Sequence, residues 1–445
     1  MYDNTQDCLM CAKSRKQEGY NMKKLVARLL TGMLGVTAIL GGTGMTTFAA
    51  ETSKTVKLAF TDAPTLQIGD QEYNHPSYAA MLAFKSSFEK STGGEYSVEL
   101  YPGGTLGDAA SNLEELQSGT LQGATPADGA LSAFAPDIQV FTIPYLFTSP
   151  LQAYDVLDGE FGQNLFDKIA DETGLRVIAS YDNGGYRNFT NSKKEIKSAA
   201  DMQGMKFRVM DSPVYMKLVE SMGATGTPVA FLELYSALQT GVVDGQENSA
   251  ITTLGASLDE VQKYCTLDGH LLGLAFLTIS NDWYNSLDAA TQEKVLQAGR
   301  EASIAARGIC RQAEGAAVET LKENGVQVYT PTEDEIASFR DASQQPVVDW
   351  LKENIDPSLV DDLLNTVNSG IVGQGRVSYT SAENVTVSAE AGDAADVAAP
   401  GTTAVAETSS GSGNTLTVIF AIIAVVAVLF AAFAMKKNKK PEEKK

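Results

Sequence analysis

The chain has 445 residues, of which 44% are apolar and 20% charged, enough for two to four domains or for one two-lobed unit with tails. Residues 51–415 carry 22 basic and 50 acidic side chains, and the resulting net charge of −28 argues against nucleic acid as a partner. Two histidines rule out a His-rich metal site, and four cysteines are too few for a disulfide scaffold.

The N-terminal part of the sequence predicts a secretory signal. Residues 1–21 are polar and precede a second plausible start at Met22, so we expect them to be an over-extended start, with a long n-region of the signal as the alternative. Residues 22–50 combine a basic beginning, an apolar stretch at 29–40 and small residues before the polar Glu51. This pattern is typical of a secretory signal peptide, although it leaves the true start codon and the cleavage site open.

The C-terminal part predicts a membrane tether. Residues 377–414 are small, polar and acidic, so they bury too little to order themselves and predict a disordered linker with a reach of roughly 30–37 Å. Residues 415–435 carry no charge and are long enough for a transmembrane helix. The basic tail 436–445 marks the cytoplasmic side. The predicted topology is an extracytoplasmic domain tethered to the outer face of the cell membrane.

Hydrophobic periodicity between the two ends alternates between strand and helix. The predicted elements are strand 55–60, helix 77–90, strand 96–100, helix 112–118, strand 177–181, strand 206–210, helix 231–239 and the helical stretch 289–324. Asn183, Gly184 and Gly185 form a turn that is expected to close the strand 177–181. Strands that alternate with helices indicate an α/β fold with a largely parallel sheet.

Sequence motifs of common enzymes are missing from the chain. It contains no P-loop, no complete dinucleotide fingerprint, no nucleophile elbow and no His-Glu-x-x-His pair. Hydrolysis by a pair of Asp or Glu side chains has no sequence motif of its own, and a chain with many acidic residues contains such pairs by chance. We therefore expect a protein that is not an enzyme and that needs no cofactor and no metal.

Seven sequence blocks follow one another between residues 102 and 270. They are Pro102-Gly103-Gly104-x-Leu106-Gly107, Leu113-x-x-Leu116-Gln117-x-Gly119, Ile143-Pro144-Tyr145-Leu146-Phe147, Gly185-Tyr186-Arg187-Asn188-Phe189-Thr190-Asn191-Ser192, Asp201-Met202-x-Gly204-Met205-Lys206-Phe207-Arg208-Val209, the long block from Glu233 to Asn248, and Glu260-Val261-Gln262-Lys263-Tyr264 with His270 six residues on. In order and spacing they resemble the solute-binding subunits of tripartite ATP-independent periplasmic (TRAP) transporters, the dicarboxylate-binding DctP family, over about residues 55–350.

The resemblance implies a two-lobed, periplasmic-binding-protein-like fold (type II-like) with a ligand cleft between the lobes. Lobe I is expected to comprise 51–184 and 273–313, and lobe II to comprise 185–272 and 314–376. The resemblance also implies that the lobes close on a small organic acid, a carboxylate. The protein would then dock on TRAP membrane permease subunits that an ion gradient drives.

Three ligand contacts follow from the resemblance: Arg208 as the clamp of the ligand carboxylate, Arg187 as a second contact and Asn248 as a third. Strand alternation supports the first of these independently. If Phe207 and Val209 enter the core, Arg208 faces the opposite way, toward a cleft or solvent. A guanidinium matches a carboxylate with two parallel hydrogen bonds, a geometry that lysine cannot reproduce.

Further candidates have weaker support. Glu233 belongs to the long block, and Tyr73 and Asn74 lie where the first loop of the family reaches the cleft. Structural alternatives stay open: a solvated strand residue for Arg208, a hinge brace for Arg187, a turn or helix cap for Asn248, a helix cap for Glu233 and a satisfied structural histidine for His270. Pairing of Cys265 with Cys310 is also open.

The sequence favours a binding subunit of a secondary transporter, with a membrane-tethered ligand sensor that feeds a signalling receptor as the alternative. Departures from the family pattern at Ser249 and Gln122 leave the choice among carboxylates open. The affinity for the ligand and the oligomeric state are open as well. Fold alone does not fix a ligand.

Overall fold

The computed structural model describes residues 53–370. The predicted over-extended start, signal peptide, linker, transmembrane helix and basic tail lie outside these residues. Within 53–370, no helix is both long enough and apolar enough to cross a membrane.

Strands and helices alternate along the chain as predicted. The strands are β1 Lys54–Ala59, β2 Thr65–Ile68, β3 Gln71–Asn74, β4 Tyr96–Tyr101, β5 Gly123–Ala124, β6 Leu175–Asn191, β7 Lys206–Val209, β8 Thr225–Pro228, β9 Gly245–Asn248, β10 Tyr264–Ser280 and β11 Gln327–Tyr329. The α-helices are α1 Pro76–Ser91, α2 Ala109–Gln117, α3 Asp128–Leu131, α4 Pro150–Asp158, α5 Glu160–Thr173, α6 Pro213–Ser221, α7 Leu234–Thr240, α8 Ala250–Gly255, α9 Asn281–Asn285, α10 Ala289–Glu323, α11 Glu333–Asn354 and α12 Pro357–Asn368.

The described strands form one mixed sheet of nine strands and a separate β2–β3 hairpin. The order in the large sheet is β4-β1-β5-β10-β6-β9-β7-β8, with β11 beside β10. Pairs near the two ends of the sheet are parallel, but β10 pairs antiparallel with β5 and β6, and β6 with β9. The prediction of a largely parallel sheet is therefore wrong at its centre.

Two long antiparallel strands, β6 and β10, run through the middle of the sheet and join its two ends. Their pairing extends from Tyr264 opposite Asn191 to Ser280 opposite Leu175, with register shifts near Leu272. The prediction that a short strand ends near Tyr181 is wrong, because β6 is 17 residues long and continues to Asn191. Glycines in the predicted turn bend the strand instead of ending it.

The helix α10 is also long, with 35 residues. Its N-terminal half, with Val295 and Ala302, packs on β1 and α1, whereas Ala313 and Leu321 pack on β2 and α8. Directly after Ala313, the Glu314 carboxylate accepts a hydrogen bond from the backbone N–H of Tyr186 in β6. The α/β fold is thus two-lobed, with β6, β10 and α10 passing from one lobe to the other.

The lobe boundaries themselves stay a prediction, since residues 53–370 lie within one compact unit. One packing contact differs from the predicted division. Helix α11 packs on α6, but α12 packs on α4 and α5, which belong to predicted lobe I. Val360 and Leu363 of α12 share a buried cluster with Leu157 of α4, so the last described helix packs against predicted lobe I.

Cys265 and Cys310 are both buried and unpaired. The Cys310 thiol donates to the carbonyl of Asp182 and accepts from the backbone N–H of Gly184. A hydrogen-bonded thiol in this position ties α10 to the bend in β6.

Candidate functional site

Neighbouring strands bring three of the predicted ligand contacts together. Strand β9 lies between β6 and β7, with Asn188 opposite Asn248 and Arg208 opposite Gln246. Arg187 precedes Asn188 on β6, so the two arginines and Asn248 lie within three adjacent strands. The loop that follows β8 closes one side of this group.

Arg208 is the cation of the group that has the fewest partners. Phe207 and Val209 enter the core as expected, and Arg208 is only 2% exposed, so a solvated strand arginine is excluded. Its Nε donates to the carbonyl of Val229 at 2.9 Å, and the described residues supply no hydrogen-bond acceptor to its two terminal amino groups. Burial lowers the pKa of Arg208 to about 10, so the guanidinium still carries its charge at neutral pH.

Arg187 is instead engaged by Glu247. Its Nε and Nη2 each donate to the Glu247 carboxylate, and Nη2 also reaches the Glu247 carbonyl at 2.7 Å. Both side chains are almost fully buried. Removal of either partner from a buried ion pair of this kind would leave an uncompensated charge and would therefore be strongly destabilising.

A hydrogen-bonded chain continues from Glu247 to His270 and Asp268. His270 Nε2 lies 3.3 Å from Glu247 Oε2, and Nδ1 lies 2.8 Å from Asp268 Oδ2. Burial alone lowers the pKa of His270, but the two carboxylates outweigh it and raise the pKa to about 9. For Glu247, burial is outweighed by Arg187 and His270, which lower its pKa to about 2. His270 therefore has two structural partners, in line with the structural alternative.

A buried carboxyl, Asp128, interacts with Arg187. It begins α3, is 3% exposed and accepts a hydrogen bond from the Tyr215 hydroxyl at 2.9 Å. Burial raises the pKa of Asp128 to about 6, although the charge of Arg187 opposes the rise. The Arg187 guanidinium also lies 5.5 Å from the Tyr215 ring centre. These contacts leave Arg187 enclosed on several sides.

Four buried polar side chains of predicted lobe I, His75, Asn112, Thr125 and Tyr181, are called the lobe I polar group below. Among residues 53–370, His75 Nε2 and Asn112 Oδ1 find no hydrogen-bond partner, whereas the Tyr181 hydroxyl lies within reach of Ser77 and Thr125. Each atom without a partner costs about 1–3 kcal/mol if it stays unpaired. Buried polar atoms without partners are rare in proteins, so such atoms indicate a place where another molecule binds.

Asp62 acts on members of the lobe I polar group and on Arg208. The Asp62 carboxylate lies 3.7 Å from His75 Nε2, and its charge adds to the rise that burial causes in the pKa of Tyr181. The same charge partly opposes the fall that burial causes in the pKa of Arg208. Asn112 and Thr125 line a notch of about 10 Å³ with Phe60.

The three weaker candidates lie on elements other than β6, β7 and β9. Glu233 is exposed at the start of α7. Tyr73 and Asn74 are half-buried in the β2–β3 hairpin, where the Tyr73 hydroxyl donates to Gln71 Oε1. Within residues 53–370, no hydrogen bond links any of these three to Arg187, Arg208 or Asn248. Asn248 itself donates to Gln246 Oε1 at 2.6 Å.

Sequence reasoning missed several residues of the site: Asp62, Asn112, Tyr181, Tyr215 and Glu247. For Glu247 a signal was present, since a charged residue inside a strand needs a buried partner. The residues of lobe I are far apart in sequence and carry no common spacing. In the part of the chain that the structure describes, no group of three or more His, Cys, Asp or Glu side chains is placed to hold a metal ion.

A buried, charged guanidinium with free terminal amino groups in a two-lobed α/β fold is typical of a solute-binding protein. The family described as bacterial extracellular solute-binding protein, family 7 (DctP), matches residues 70–354. The chain therefore belongs to the DctP family, whose members serve TRAP transporters as solute-binding subunits and are not enzymes.

Individual relatives agree with this assignment. A solute-binding protein of Verminephrobacter eiseniae is 33% identical over 56% of this chain and 74% of its own length. The C4-dicarboxylate-binding periplasmic protein DctP of Rhodobacter capsulatus is 29% identical over 74% of this chain and 96% of its own length. A TRAP periplasmic solute-binding protein of Sulfitobacter sp. NAS-14.1, solved with bound β-D-galacturonate, is 31% identical with a TM-score of 0.64 and covers 71% of this chain and 100% of its own.

Proposed function

We propose that the protein captures a small organic acid in the cleft between its lobes and delivers it to a TRAP-type secondary transporter in the membrane. Relatives with carboxylate ligands support the ligand class, since they include proteins named for C4-dicarboxylates and one solved with β-D-galacturonate. No observation on the described residues favours the alternative of a ligand sensor.

The observation that carries this proposal is the state of Arg208. A buried guanidinium whose terminal amino groups have no acceptor among the described residues is costly, although Glu247 and Asp62 partly compensate its charge, and a ligand carboxylate would relieve that cost. Its two terminal amino groups can form two parallel charge-assisted hydrogen bonds with one carboxylate. Such bonds contribute about 1.5–3 kcal/mol each, which suffices to orient a small ligand.

The acidity of the whole domain does not oppose this role. Residues 51–415 carry a net charge of −28, which repels anions at long range. Salt screens exposed charges beyond roughly 8–10 Å, however, so remote acids act weakly in the cleft. Arg208 acts at close range and in a region from which water is largely excluded, where its attraction is strongest.

Membrane attachment belongs to the same proposal. The predicted linker 377–414 and transmembrane helix 415–435 would hold the binding domain in the extracytoplasmic space beside the permease. A flexible tether raises the local concentration at its partner to the order of mM. Delivery would then not depend on diffusion of a free protein.

Calorimetric titration of the full-length chain with small carboxylates tests the proposal. We expect one or more acids to bind the wild type, and Arg208→Ala to abolish or weaken that binding by at least about 100-fold, which corresponds to two lost charge-assisted bonds. Arg300→Ala is the matched control, because Arg300 is exposed on α10 and pairs with Glu293. Equal binding by wild type and Arg208→Ala would contradict the proposed role of Arg208.

A further inference from the structure

We propose that Asp128 takes up a proton when the two lobes close on a ligand, so that capture of the ligand is coupled to protonation of the protein. This inference rests on the proposed function and deepens it by naming a control of the same site. Two observations carry it: the hydrogen bonds that join α3 to α6 across the predicted lobe boundary, and the enclosure of Asp128 beside a cation that is already paired.

Helices α3 and α6 meet where predicted lobe I contacts predicted lobe II. The Tyr215 hydroxyl of α6 donates to Asp128 Oδ2 at 2.9 Å. A second bond runs from the Ser132 hydroxyl to the Ser212 hydroxyl, also at 2.9 Å. None of these four side chains is more than 3% exposed. An opening of the cleft that separates α3 from α6 would therefore break both bonds and admit water to Asp128.

The buried Asp128 carboxyl has only partial compensation for a negative charge. Besides the bond from Tyr215, it accepts a hydrogen bond from the backbone N–H of Gly129 at 2.8 Å. Arg187 is the cation that acts on it, but Arg187 forms a buried ion pair with Glu247, and the charge of Glu247 repels that of Asp128. A carboxyl in such a place is protonated more readily than one in water.

Other elements around Asp128 are α2, α6, β10 and the 3-10 turn Pro136–Thr142. Their charged side chains either have partners, as Asp137, Asp268 and His270 do, or reach solvent, as do Glu114, Glu115, Lys217 and Glu220. Strand β10 also carries Tyr264 and Cys265, which pair with β11 at one end of the strand, whereas Ala275 near its other end lies opposite Ala127. The ionisable groups that act on Asp128 are therefore Tyr215, Arg187 and Glu247.

Burial sets the sign of the coupling. In the closed form burial raises the pKa of Asp128 from 3.8 to about 6, although Arg187 and the Tyr215 hydroxyl oppose the rise. In an open cleft the carboxyl contacts water, and its pKa falls back toward the ordinary 3.8. A carboxyl whose pKa is higher in the closed form favours closure where it is protonated, and this contribution is lost as pH rises through about 6. The affinity for a ligand should therefore be about tenfold higher at pH 5 than at pH 7.5.

Calorimetric titration of the full-length chain with D-galacturonate tests the coupling, because the carboxyl of this acid is ionised at both pH values. Titrations in two buffers that differ in ionisation enthalpy give the number of protons taken up per ligand. For the wild type we expect about 0.8 protons at pH 5 and almost none at pH 7.5. Asp128→Asn should show no uptake and an affinity that changes little with pH. Asp70→Asn is the matched control, since Asp70 is exposed in the β2–β3 turn, and it should behave as the wild type.

Two further variants separate proton uptake from the loss of a contact. Tyr215→Phe keeps the ring beside Arg187 but removes a donor that favours the charged carboxylate, so uptake should persist with its midpoint at a higher pH. Ser212→Ala removes a bond that does not titrate, so the affinity should fall about two- to tenfold, by the same factor at both pH values. A merely structural role of Asp128 would lower the affinity of Asp128→Asn without removing the proton uptake.

The outcomes separate this inference from the proposed function. Binding of D-galacturonate by the wild type without proton uptake would overturn the inference and leave carboxylate capture intact. Uptake that persists in Asp128→Asn, folded by circular dichroism, would do the same. If D-galacturonate does not bind, D-glucuronate and D-galactonate replace it. A wild type that binds none of the three acids would overturn the inference, and a wider panel of carboxylates without a hit would remove the proposed function as well.

Discussion

Glu247 holds two buried cations in place at once. It accepts two hydrogen bonds from Arg187 and lies 3.3 Å from His270, which Asp268 contacts from its other side. Phe189 stacks on the His270 ring with the ring centres 4.2 Å apart, so the imidazole has little room to move. This rigid group supports β6 and β9, the strands beside Arg208.

The stability of the protein should depend on pH through His270. Its pKa is raised from the ordinary 6.5 to about 9, so its stabilising effect is fully present below pH 6.5 and is lost as pH rises through about 9. We expect the free energy of unfolding, measured by urea titration, to fall over this window by at most about 1.4 kcal/mol per pH unit. His270→Gln should be less stable but should lack this slope. An equal slope in both proteins would contradict the assignment.

At the scale of single residues, the sequence predicted Arg187 and Arg208 but not the side chains that surround them. Arg208 was predictable because strand alternation puts Phe207 and Val209 on the other side. Asp128 begins a four-residue helix after a loop, and nothing local shows that it faces Tyr215. Contacts of this kind come from chain segments that only the tertiary fold brings together.

The bend in β6 is the element on which the two-lobed shape depends. Gly184 and Gly185 have φ values of +94° and +93°, a region that side chains with a Cβ adopt only under strain. A Cβ on Gly184 would lie 2.3 Å from Ser249 Oγ, and one on Gly185 would lie 2.5 Å from Glu314 Oε1. Both positions therefore require glycine for conformation and for space.

Gly184→Ala should destabilise the protein by about 1–3 kcal/mol, because it forces a strained φ and displaces Ser249. Urea unfolding of the variant measures this loss. Gly308→Ala is the matched control: it lies inside α10 with no atom within 4 Å of an added Cβ, so it should stabilise by about 0.5–1 kcal/mol. Equal effects of the two substitutions would contradict the account of the bend.

The same glycines explain why the sequence predicted the end of a strand here. An Asn-Gly-Gly run is a strong turn signal, and local reasoning has no means to see that β10 continues to pair with β6 beyond it. The helix 231–239 was predicted more closely, since α7 ends at Thr240 before Gly241, as its stop signal indicates. Local sequence signals thus predict where an element ends when that end does not depend on pairing with a segment distant in sequence.

At the scale of the whole molecule, the two-lobed α/β architecture followed from the resemblance of the sequence blocks, and the family match over residues 70–354 confirms that resemblance. Periodicity alone gave the class of fold but not the antiparallel centre of the sheet. The tether stays a prediction, because 377–414 and 415–435 lie outside the described residues. It rests on hydropathy and charge rather than on any contact.

Truncation tests the tether. A chain that ends at residue 376 should move from the membrane fraction to the soluble extracytoplasmic fraction, because it lacks the uncharged stretch 415–435. The full-length chain and a variant that lacks only the basic tail 436–445 serve as controls, and both should stay with the membrane. A truncated chain that still sediments with the membrane would contradict the predicted anchor.

The claim at the centre of this account is that Arg208 receives the carboxylate of the ligand. A crystal structure of the protein with a carboxylate found by titration tests it most directly. We predict both carboxylate oxygens within about 3.2 Å of the two terminal amino groups of Arg208, with the body of the ligand against the lobe I polar group. A ligand whose carboxylate lies elsewhere, with Arg208 making no contact to it, would contradict the claim.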